Sequence, residues 1–240
     1  MPECIGLLIE SEGPGGAEYV VLNLAESLRA RGHRVAPITL THSREPLWIE
    51  AQFRDRGFDV DRAVVGPTID PACLWHLRGV LKARGVDIVN SHEFGPAIYG
   101  TTASKLLGLP HVITMHGNMW VMQARRRRVA LRWAIRASRA TIAVSRDTHR
   151  HMTDQMGLGE REITTVLNGV PERVGERGVV RQEFGISDGD VLIVAVGNLI
   201  ERKGHAVLVR AIAAIRSRRP DVPWRLLIAG EGVERPALEA

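Results

Sequence analysis

Apolar segments alternate with helical patterns along almost the whole of this 240-residue chain. Several segments, such as CIGLLI at residues 4–9, are continuous apolar runs, which is typical of parallel strands covered on both faces. Between them the apolar residues recur at helical spacing, as in AEYVVLNLAESLRARG, where Gly32 ends the pattern. This alternation predicts an α/β fold built on a doubly wound, parallel, Rossmann-like sheet. The predicted strands are 4–9, 34–40, 60–65, 86–91, 111–115, 141–144, 163–167, 191–196 and 225–229, and the predicted helices are 17–32, 47–56, 71–84, 96–107, 126–136, 145–156 and 203–217.

The periodicity breaks down once, between residues 168 and 190, where the chain is rich in glycine and charge. We therefore expect one Rossmann-like domain over 1–170, a linker over 171–190 and the start of a second such domain over 191–240. Two parallel strands and one helix cannot cover both faces of a sheet, so the second domain is expected to be incomplete.

The composition indicates a globular protein with a basic surface, since the net charge is +5. Cys4 and Cys73 lie far apart in no metal-like spacing, so we expect no disulfide framework, no zinc site and a reducing, cytoplasmic compartment. No signal peptide is expected at MPECIGLLIESEGPGG, and no apolar stretch is long enough to span a bilayer.

The densest basic cluster is ARRRRVALRWAIRASR, at residues 124–139. One interpretation is a solvated helix face; the other is attraction to anionic lipid headgroups or nucleotide phosphates. Binding to nucleic acid is disfavoured because no recognised nucleic-acid-binding motif accompanies the charge.

The glycine-rich segment SEGPGGAEYV lies between the first strand and the first helix. Gly13 and Gly15 fit the first two places of a dinucleotide-binding fingerprint, but Glu18 occupies the third, and the second strand ends without a carboxylate. Binding of NAD is therefore disfavoured. Gly15 and Gly16 still allow close approach of a ligand to a helix N-terminus, although a tight turn without a ligand remains an alternative.

Other polar residues follow the predicted strands, and the carboxyl ends of parallel strands meet at one edge, where ligands bind. A single histidine there is usually structural, but two histidines, glycine-containing turns and a lysine together predict a polar cleft. Ser145 also reads as a helix N-cap. The strand-end residues are His92, Glu93, His116, Gly117, Asn118, Ser145, Asn168, Gly169 and Lys203.

Taken in order, these segments resemble glycosyltransferase family 4, whose members are retaining sugar-nucleotide transferases of the two-domain GT-B architecture. The resemblance runs through nearly the whole chain and rests on six segments of moderate specificity. They are GGAEYVVLNLAESLRARGHRV, VDIVNSHEFGPAIYG, LPHVITMHG, TIAVSRDTHRHM, VLNGVP and VAVGNLIERKGHAVLVRAI.

The resemblance implies a role for several residues. His116 matches the family's catalytic histidine, which touches the transferred sugar, and Lys203 matches a basic residue that neutralises the donor diphosphate. The loop of Gly15 and Gly16 would border the cleft near that diphosphate. Acceptor-side or cleft-lining positions are His92, Glu93, Gly117, Asn118, Ser145, Asn168 and Gly169.

The resemblance further implies a UDP- or GDP-sugar donor, no cofactor, no obligatory metal, and a saccharide or lipid-linked acceptor in cell-envelope polysaccharide or glycolipid synthesis. Family members often use a basic, amphipathic surface at the membrane, which here predicts peripheral contact with the inner face of the cell membrane. A buried or saccharide-facing Trp133 is the alternative for this segment. The basic residues concerned are Arg125, Arg126, Arg127, Arg128 and Arg132.

The chain departs from the family pattern in its last third. Asn198 stands where many members have arginine, and Arg202 is a candidate substitute. Glu231 and Glu239 have the spacing of the family's glutamate pair, but they follow the second strand of the second domain directly, so we reject the match. We therefore expect a chain that is inactive alone or dependent on a separate donor-side chain; the alternative is a non-catalytic acceptor- or partner-binding protein.

Overall fold

The computed structural model describes residues 3–11, 13–66, 70–117, 123–159, 162–172, 175 and 178–239. The chain divides into two compact units, Met1–Pro171 and Glu172–Ala240. We describe each unit by itself.

The first unit alternates strands with helices, as the hydrophobic pattern predicts. Its strands are β1 (Cys4–Glu10), β2 (Arg34–Thr41), β3 (Asp61–Val64), β4 (Ile88–His92), β5 (His111–Met115), β6 (Ala140–Ala143) and β7 (Thr164–Thr165), and its helices are α1 (Gly16–Ala30), α2 (Trp48–Asp55), α3 (Pro71–Ala83), α4 (Phe94–Leu107), α5 (Arg125–Ala137) and α6 (Arg146–Met156).

The seven strands form one sheet in the order β3-β2-β1-β4-β5-β6-β7. Every neighbouring pair is parallel, with Ile5 of β1 opposite Val35 of β2 and Ile88 of β4. The predicted Rossmann-like α/β fold is therefore confirmed. The strand order reverses direction between β1 and β4, which is where ligands bind in open sheets of this kind.

The core lies on both faces of the sheet, and β1 contributes to both. Leu7 and Ile9 pack with α1 and α2 on one face, whereas Cys4 and Leu8 pack with α3 on the other. A further apolar cluster joins β5 and β6 to α5 and α6, and includes Ile113. Burial on both faces explains why the first strand reads as a continuous apolar run.

The second unit contains a two-stranded parallel sheet. Its elements are α7 (Val179–Glu183), β8 (Val191–Val196), α8 (His205–Arg218), β9 (Trp224–Ala229) and α9 (Arg235–Glu239), with a 3₁₀ turn at Glu201–Lys203. The helix predicted at 203–217 begins at His205 in the structure, two residues later than predicted. Gly204, at φ 71° in the left-handed region, ends the preceding 3₁₀ turn and separates it from the helix.

One buried carboxylate fixes the packing of α2 against the sheet. The side chain of Glu50 is 1% exposed, accepts a hydrogen bond of 2.7 Å from Thr39 Oγ1 and is held by both ends of the Arg62 guanidinium. Burial by itself raises the pKa of Glu50, but the bonds from Arg62 and Thr39 outweigh it and leave the pKa below its ordinary value.

The ion pair of Glu50 leads to a stability prediction. Arg62→Met should lower the free energy of unfolding by about 2–3 kcal/mol at pH 7, because it leaves a buried carboxylate without its main partner. Since the folded pKa of Glu50 is depressed, this deficit should be fully present above the unfolded pKa of about 4.3 and shrink as the pH falls below it.

Urea denaturation of the full chain between pH 3 and pH 8 provides the measurement. Arg54→Met is the matched control, because Arg54 also lies near Glu50 but its side chain is 57% exposed, and it should cost less than about 0.5 kcal/mol. Equal deficits for both variants would contradict the assignment.

Candidate functional site

The candidate site lies at the carboxyl edge of β1, β4 and β5, which are neighbours in the sheet. The chain leaves β1 into the glycine-rich loop, leaves β4 at His92 into α4, and leaves β5 at Met115. The loop that carries Gly15, the end of β4 and His116 therefore belong to one edge.

Two histidines form the centre of this edge. Nδ1 of His92 lies 2.9 Å from Nε2 of His116, and the two rings are stacked with their planes 26° apart. His92 is only 1% exposed, whereas His116 is partly exposed. The remaining ring nitrogens, His92 Nε2 and His116 Nδ1, have no hydrogen-bond partner among the described residues.

Burial keeps both rings neutral at physiological pH. It lowers the pKa of His116 to about 4. The pKa of His92 is lowered well below its ordinary value by burial, and secondarily by the neighbouring His116. A neutral imidazole offers one N–H donor and one acceptor nitrogen, so the pair presents hydrogen bonds without a positive charge.

Glu93 adds a carboxyl group beside the histidines. It is the N-cap of α4 with φ 72°, an uncommon conformation for a residue other than glycine, and its Oε1 accepts a hydrogen bond of 3.1 Å from the backbone N–H of His116. Burial raises the pKa of Glu93 to about 7; the His116 N–H opposes this shift, and the charges of Glu18 and Glu10 add to it. Glu93 Oε2 is buried and has no partner among the described residues.

The glycine-rich loop brings a carboxylate of its own. Gly15 is the N-cap of α1 with extended backbone, and a Cβ at this position would lie 2.6 Å from Oε2 of Glu18. Gly15 is therefore needed to leave room for the Glu18 side chain, whereas a Cβ at Gly16 would meet open space.

Two further predicted residues shape the start of α6. Ser145 is an N-cap, because its Oγ accepts a hydrogen bond of 3.0 Å from Thr148 N–H. Gly117 adopts φ 94°, and a Cβ there would lie 3.2 Å from Thr148 Oγ1. Asn118 lies outside the described residues.

A cavity of about 450 Å³ opens on the α1 side of the sheet and includes His92, Asn168 and Gly169 among its lining residues. It also contains two polar residues that sequence reasoning missed, Asn90 and Thr114, whose side chains are joined by a hydrogen bond of 3.1 Å. Asn90 could have been found from the sequence, because side chains alternate along a strand and Asn90 therefore lies on the same face as His92.

The loop after β8 carries the predicted residues of the second unit. Asn198 O accepts a hydrogen bond from Ile200 N–H, and the 3₁₀ turn that follows contains Arg202 and Lys203. Lys203 Cδ lies 3.9 Å from where a Cβ of Gly197 would be, so the lysine stem folds back over the end of β8.

Glu231 and Glu239, whose match to the family's glutamate pair we reject, form ion pairs within the second unit. Arg235 forms ion pairs with both Glu231 and Glu239, on either side of it along the chain.

Among the residues that the structure describes, no group of three or more potential ligands could hold a metal ion. Within the same residues, no helix is long and apolar enough to cross a membrane.

Comparison with known proteins gives the family. The model of Glycosyltransferase Family 4 matches residues 14–173, and that of Glycosyl transferases group 1 matches residues 190–240. A D-inositol 3-phosphate glycosyltransferase of Pseudarthrobacter chlorophenolicus is 27% identical over 244 residues, which cover 90% of this chain and 57% of that protein.

Solved structures agree on the fold. HepE of Anabaena in complex with UDP superposes with a TM-score of 0.75 at 16% identity, over 99% of this chain and 64% of that one. A glycosyltransferase from Rickettsia africae gives a TM-score of 0.74 at 18% identity, over 99% and 63%. This chain thus spans less than two thirds of the length of these proteins.

The first unit has the Rossmann-like sheet of the GT-B architecture, and the family model covers more than half of the chain, including the loop of Gly15 and the edge of His116. The chain belongs to glycosyltransferase family 4.

Proposed function

We propose that this chain takes part in transferring a sugar from a nucleoside diphosphate sugar to a hydroxyl of a saccharide or lipid-linked acceptor, with retention at the anomeric carbon. The observation that carries the proposal is the neutral His116 at the carboxyl edge, whose Nδ1 has no partner within the described part of the chain. In the proposed reaction His116 contacts the transferred sugar, the bond from the anomeric carbon to the diphosphate breaks, the acceptor oxygen forms the new bond, and the nucleoside diphosphate leaves with the proton of the acceptor hydroxyl.

The proposed donor is a UDP- or GDP-sugar. HepE has been solved with UDP and with UDP-glucose, which favours a uridine nucleotide. Lys203, Arg202 and Asn198 are the proposed partners of the diphosphate, because two positive charges stabilise the departing phosphate oxygens and the Asn198 amide N–H donates hydrogen bonds to such oxygens. Gly15 and Gly16, in the first unit, are further proposed donor-side residues.

The proposed acceptor carries several hydroxyl groups. Glu93 and Glu18 provide carboxyl oxygens at the edge, which accept hydrogen bonds from hydroxyl groups. The inositol-based name of the curated relative favours a polyol acceptor, in the synthesis of a glycolipid or cell-envelope polysaccharide. His92, Gly117, Asn168 and Gly169 are the other proposed acceptor-side positions.

We propose that the outer face of α5 makes peripheral contact with the anionic inner face of the cell membrane. Val129 is 61% exposed and Trp133 46% exposed, and Arg125 and Arg126 are exposed beside them. Arg132 is instead half-buried, with Nη1 3.8 Å from a Cβ position at Gly157. Guanidinium groups with an interleaved tryptophan are suited to a headgroup region.

The relatives are longer than this chain, so we propose that efficient transfer also requires the further donor-side region that they contain, in the same or a separate chain. A first experiment therefore measures binding and transfer separately. Calorimetric titration of the full chain with UDP should give weak binding that Lys203→Ala lowers by about ten- to hundredfold, since a charge-assisted hydrogen bond contributes about 1.5–3 kcal/mol.

Arg216→Ala, which removes an exposed charge of α8, is the matched control and should leave UDP binding unchanged. His116→Ala should also leave UDP binding unchanged, but should abolish any transfer from UDP-glucose. Binding of an inositol or saccharide acceptor without any binding of UDP would instead favour a non-catalytic acceptor-binding protein.

A second prediction concerns α5 and vesicles. Because each basic residue near an anionic surface contributes about 1 kcal/mol, Arg125→Gln together with Arg126→Gln should lower partitioning onto phosphatidylserine vesicles about thirtyfold. Co-sedimentation at low and high salt measures the effect. The same change at Arg216 and Arg218 of α8 is the control. An equal loss of vesicle binding there would show that α5 is not a specific membrane-binding surface.

A third prediction follows from Glu93. Its carboxyl group has a pKa of about 7 in the folded state and about 4.3 in the unfolded state, so its contribution to the free energy of unfolding should fall by roughly 3 kcal/mol at most as pH rises from 4.3 to 7. Glu93→Gln should remove this contribution, so the free energy of unfolding of the wild type should fall relative to that of the variant over this range. Urea denaturation across that range measures it, with Glu26→Gln as an exposed control; identical profiles for wild type and Glu93→Gln would disprove it.

A further inference from the structure

The helices α3, α4 and α5 lie side by side on one face of the sheet of the first unit, opposite α1 and α2. The middle helix, α4, packs against α3 on one side and against α5 on the other. Their inner sides are apolar: Leu77 of α3 and Ala103 of α4 share one core cluster, and Leu131 of α5 belongs to the next. The outer sides of the three helices therefore form one surface, which we call the α3–α5 face.

Large apolar side chains are exposed on the α3–α5 face. Trp75 of α3 is 60% exposed and Leu106 of α4 is 52% exposed. They extend the exposed pair Val129 and Trp133 of α5 across the whole face. The Arg78 guanidinium lies over the Trp75 ring, with Cζ 5.1 Å from the ring centroid, so this indole has a basic partner beside it. The face thus carries one exposed tryptophan on each side of α4.

The charge of the α3–α5 face has one sign. The three helices contain no aspartate or glutamate, and each contains lysine or arginine. Lys82 of α3, Lys105 of α4 and Arg125 of α5 are all exposed. The helices on the opposite face of the sheet carry both signs, with exposed acidic residues such as Glu26 of α1 and Asp55 of α2. The basic potential of the first unit is therefore concentrated on the α3–α5 face.

A basic face of this kind fits an anionic bilayer or an acidic protein, and the tryptophans favour the bilayer. Indole rings are suited to the headgroup region of a membrane, where lysine and arginine reach lipid phosphates while their aliphatic stems cover apolar surface. The apolar residues are also spread over three helices rather than gathered in a pocket. The cavity of about 450 Å³ lies on the other side of the sheet, next to α1.

We propose that the α3–α5 face as a whole docks on an anionic lipid bilayer, with Trp75 and Trp133 as anchors on either side of α4. The inference deepens the proposed function and rests on its membrane contact, because α5 forms one side of the face. Since α4 and α5 cover the sheet, a docked bilayer lies about one helix diameter, roughly 10–12 Å, from the strands. The headgroup of a lipid-linked acceptor then spans a short distance to the carboxyl edge of His116.

The first test compares two exposed aromatic residues on opposite faces of the sheet. The full chain is co-sedimented with vesicles of phosphatidylcholine and phosphatidylserine. Trp75→Ser should lower partitioning about tenfold, because docking removes an exposed indole from water. Tyr19→Ser is the matched control, since Tyr19 is 45% exposed but lies on α1, and it should leave partitioning unchanged. An equal effect of the two variants would overturn the proposal.

The second test removes charge from α3 and α4 and leaves α5 intact. Lys82→Gln together with Lys105→Gln should lower partitioning about thirtyfold at low salt, and less at high salt, where the attraction is screened. Arg31→Gln together with Arg54→Gln removes two exposed charges from the opposite face and should have no effect. A loss with the lysine pair but none with Trp75→Ser would indicate a surface for an acidic protein and would overturn the bilayer proposal.

The α5 variants already described separate this inference from the proposed function. If Arg125→Gln with Arg126→Gln lowers vesicle binding but Trp75→Ser does not, the contact is confined to α5 and the inference is wrong. If none of these variants lowers vesicle binding, the proposed membrane contact fails as well. Because Trp75, Lys82 and Lys105 are exposed, circular dichroism should show an unchanged fold for their variants. No donor or turnover is needed, so a failure of the proposed glycosyl transfer would not affect these measurements.

Discussion

β1 is hydrogen-bonded in parallel to β2 on one side and to β4 on the other, and the strand order reverses direction there. Because all the strands run the same way, the loop after β1 and the segments after β4 and β5 must come out at one edge. The proximity of Gly15, Glu93 and His116 to one another follows from this arrangement, although Gly15 and His116 lie about a hundred residues apart in sequence. A change that displaced β1 would therefore move the residues of the candidate site apart and would also expose the core.

The burial of His92, His116 and Glu93 determines the chemistry of this edge. Burial favours the neutral forms of His92, His116 and Glu93, because it lowers the pKa of both histidines and raises that of Glu93. The site is therefore rich in hydrogen-bonding atoms and poor in positive charge, even though the chain as a whole is basic. Such an edge suits the uncharged hydroxyl groups of a sugar better than a free anion.

Elements with a repeating hydrophobic pattern could be predicted from the sequence, whereas features that depend on contacts between distant residues could not. Continuous apolar runs gave the strands of the sheet, because burial on both faces leaves no room for polar residues there. The strand predicted at 163–167 shortens to Thr164–Thr165, and the five-residue helices α7 and α9 are too short to show a period. Strand ends identified His92 and His116 separately, but their hydrogen bond depends on the register of β4 with β5, which no local pattern encodes.

The distribution of charge bears on which loop is the better partner for the proposed diphosphate. The N-terminus of α1 is a favourable place for an anion, but Glu18 already lies against Gly15 in its first turn, and its charge acts on Glu93. A diphosphate at that loop would meet these carboxyl groups, whereas the loop after β8 offers Lys203 and Arg202. This contrast favours the loop after β8 over the loop of Gly15 as the proposed partner of the diphosphate.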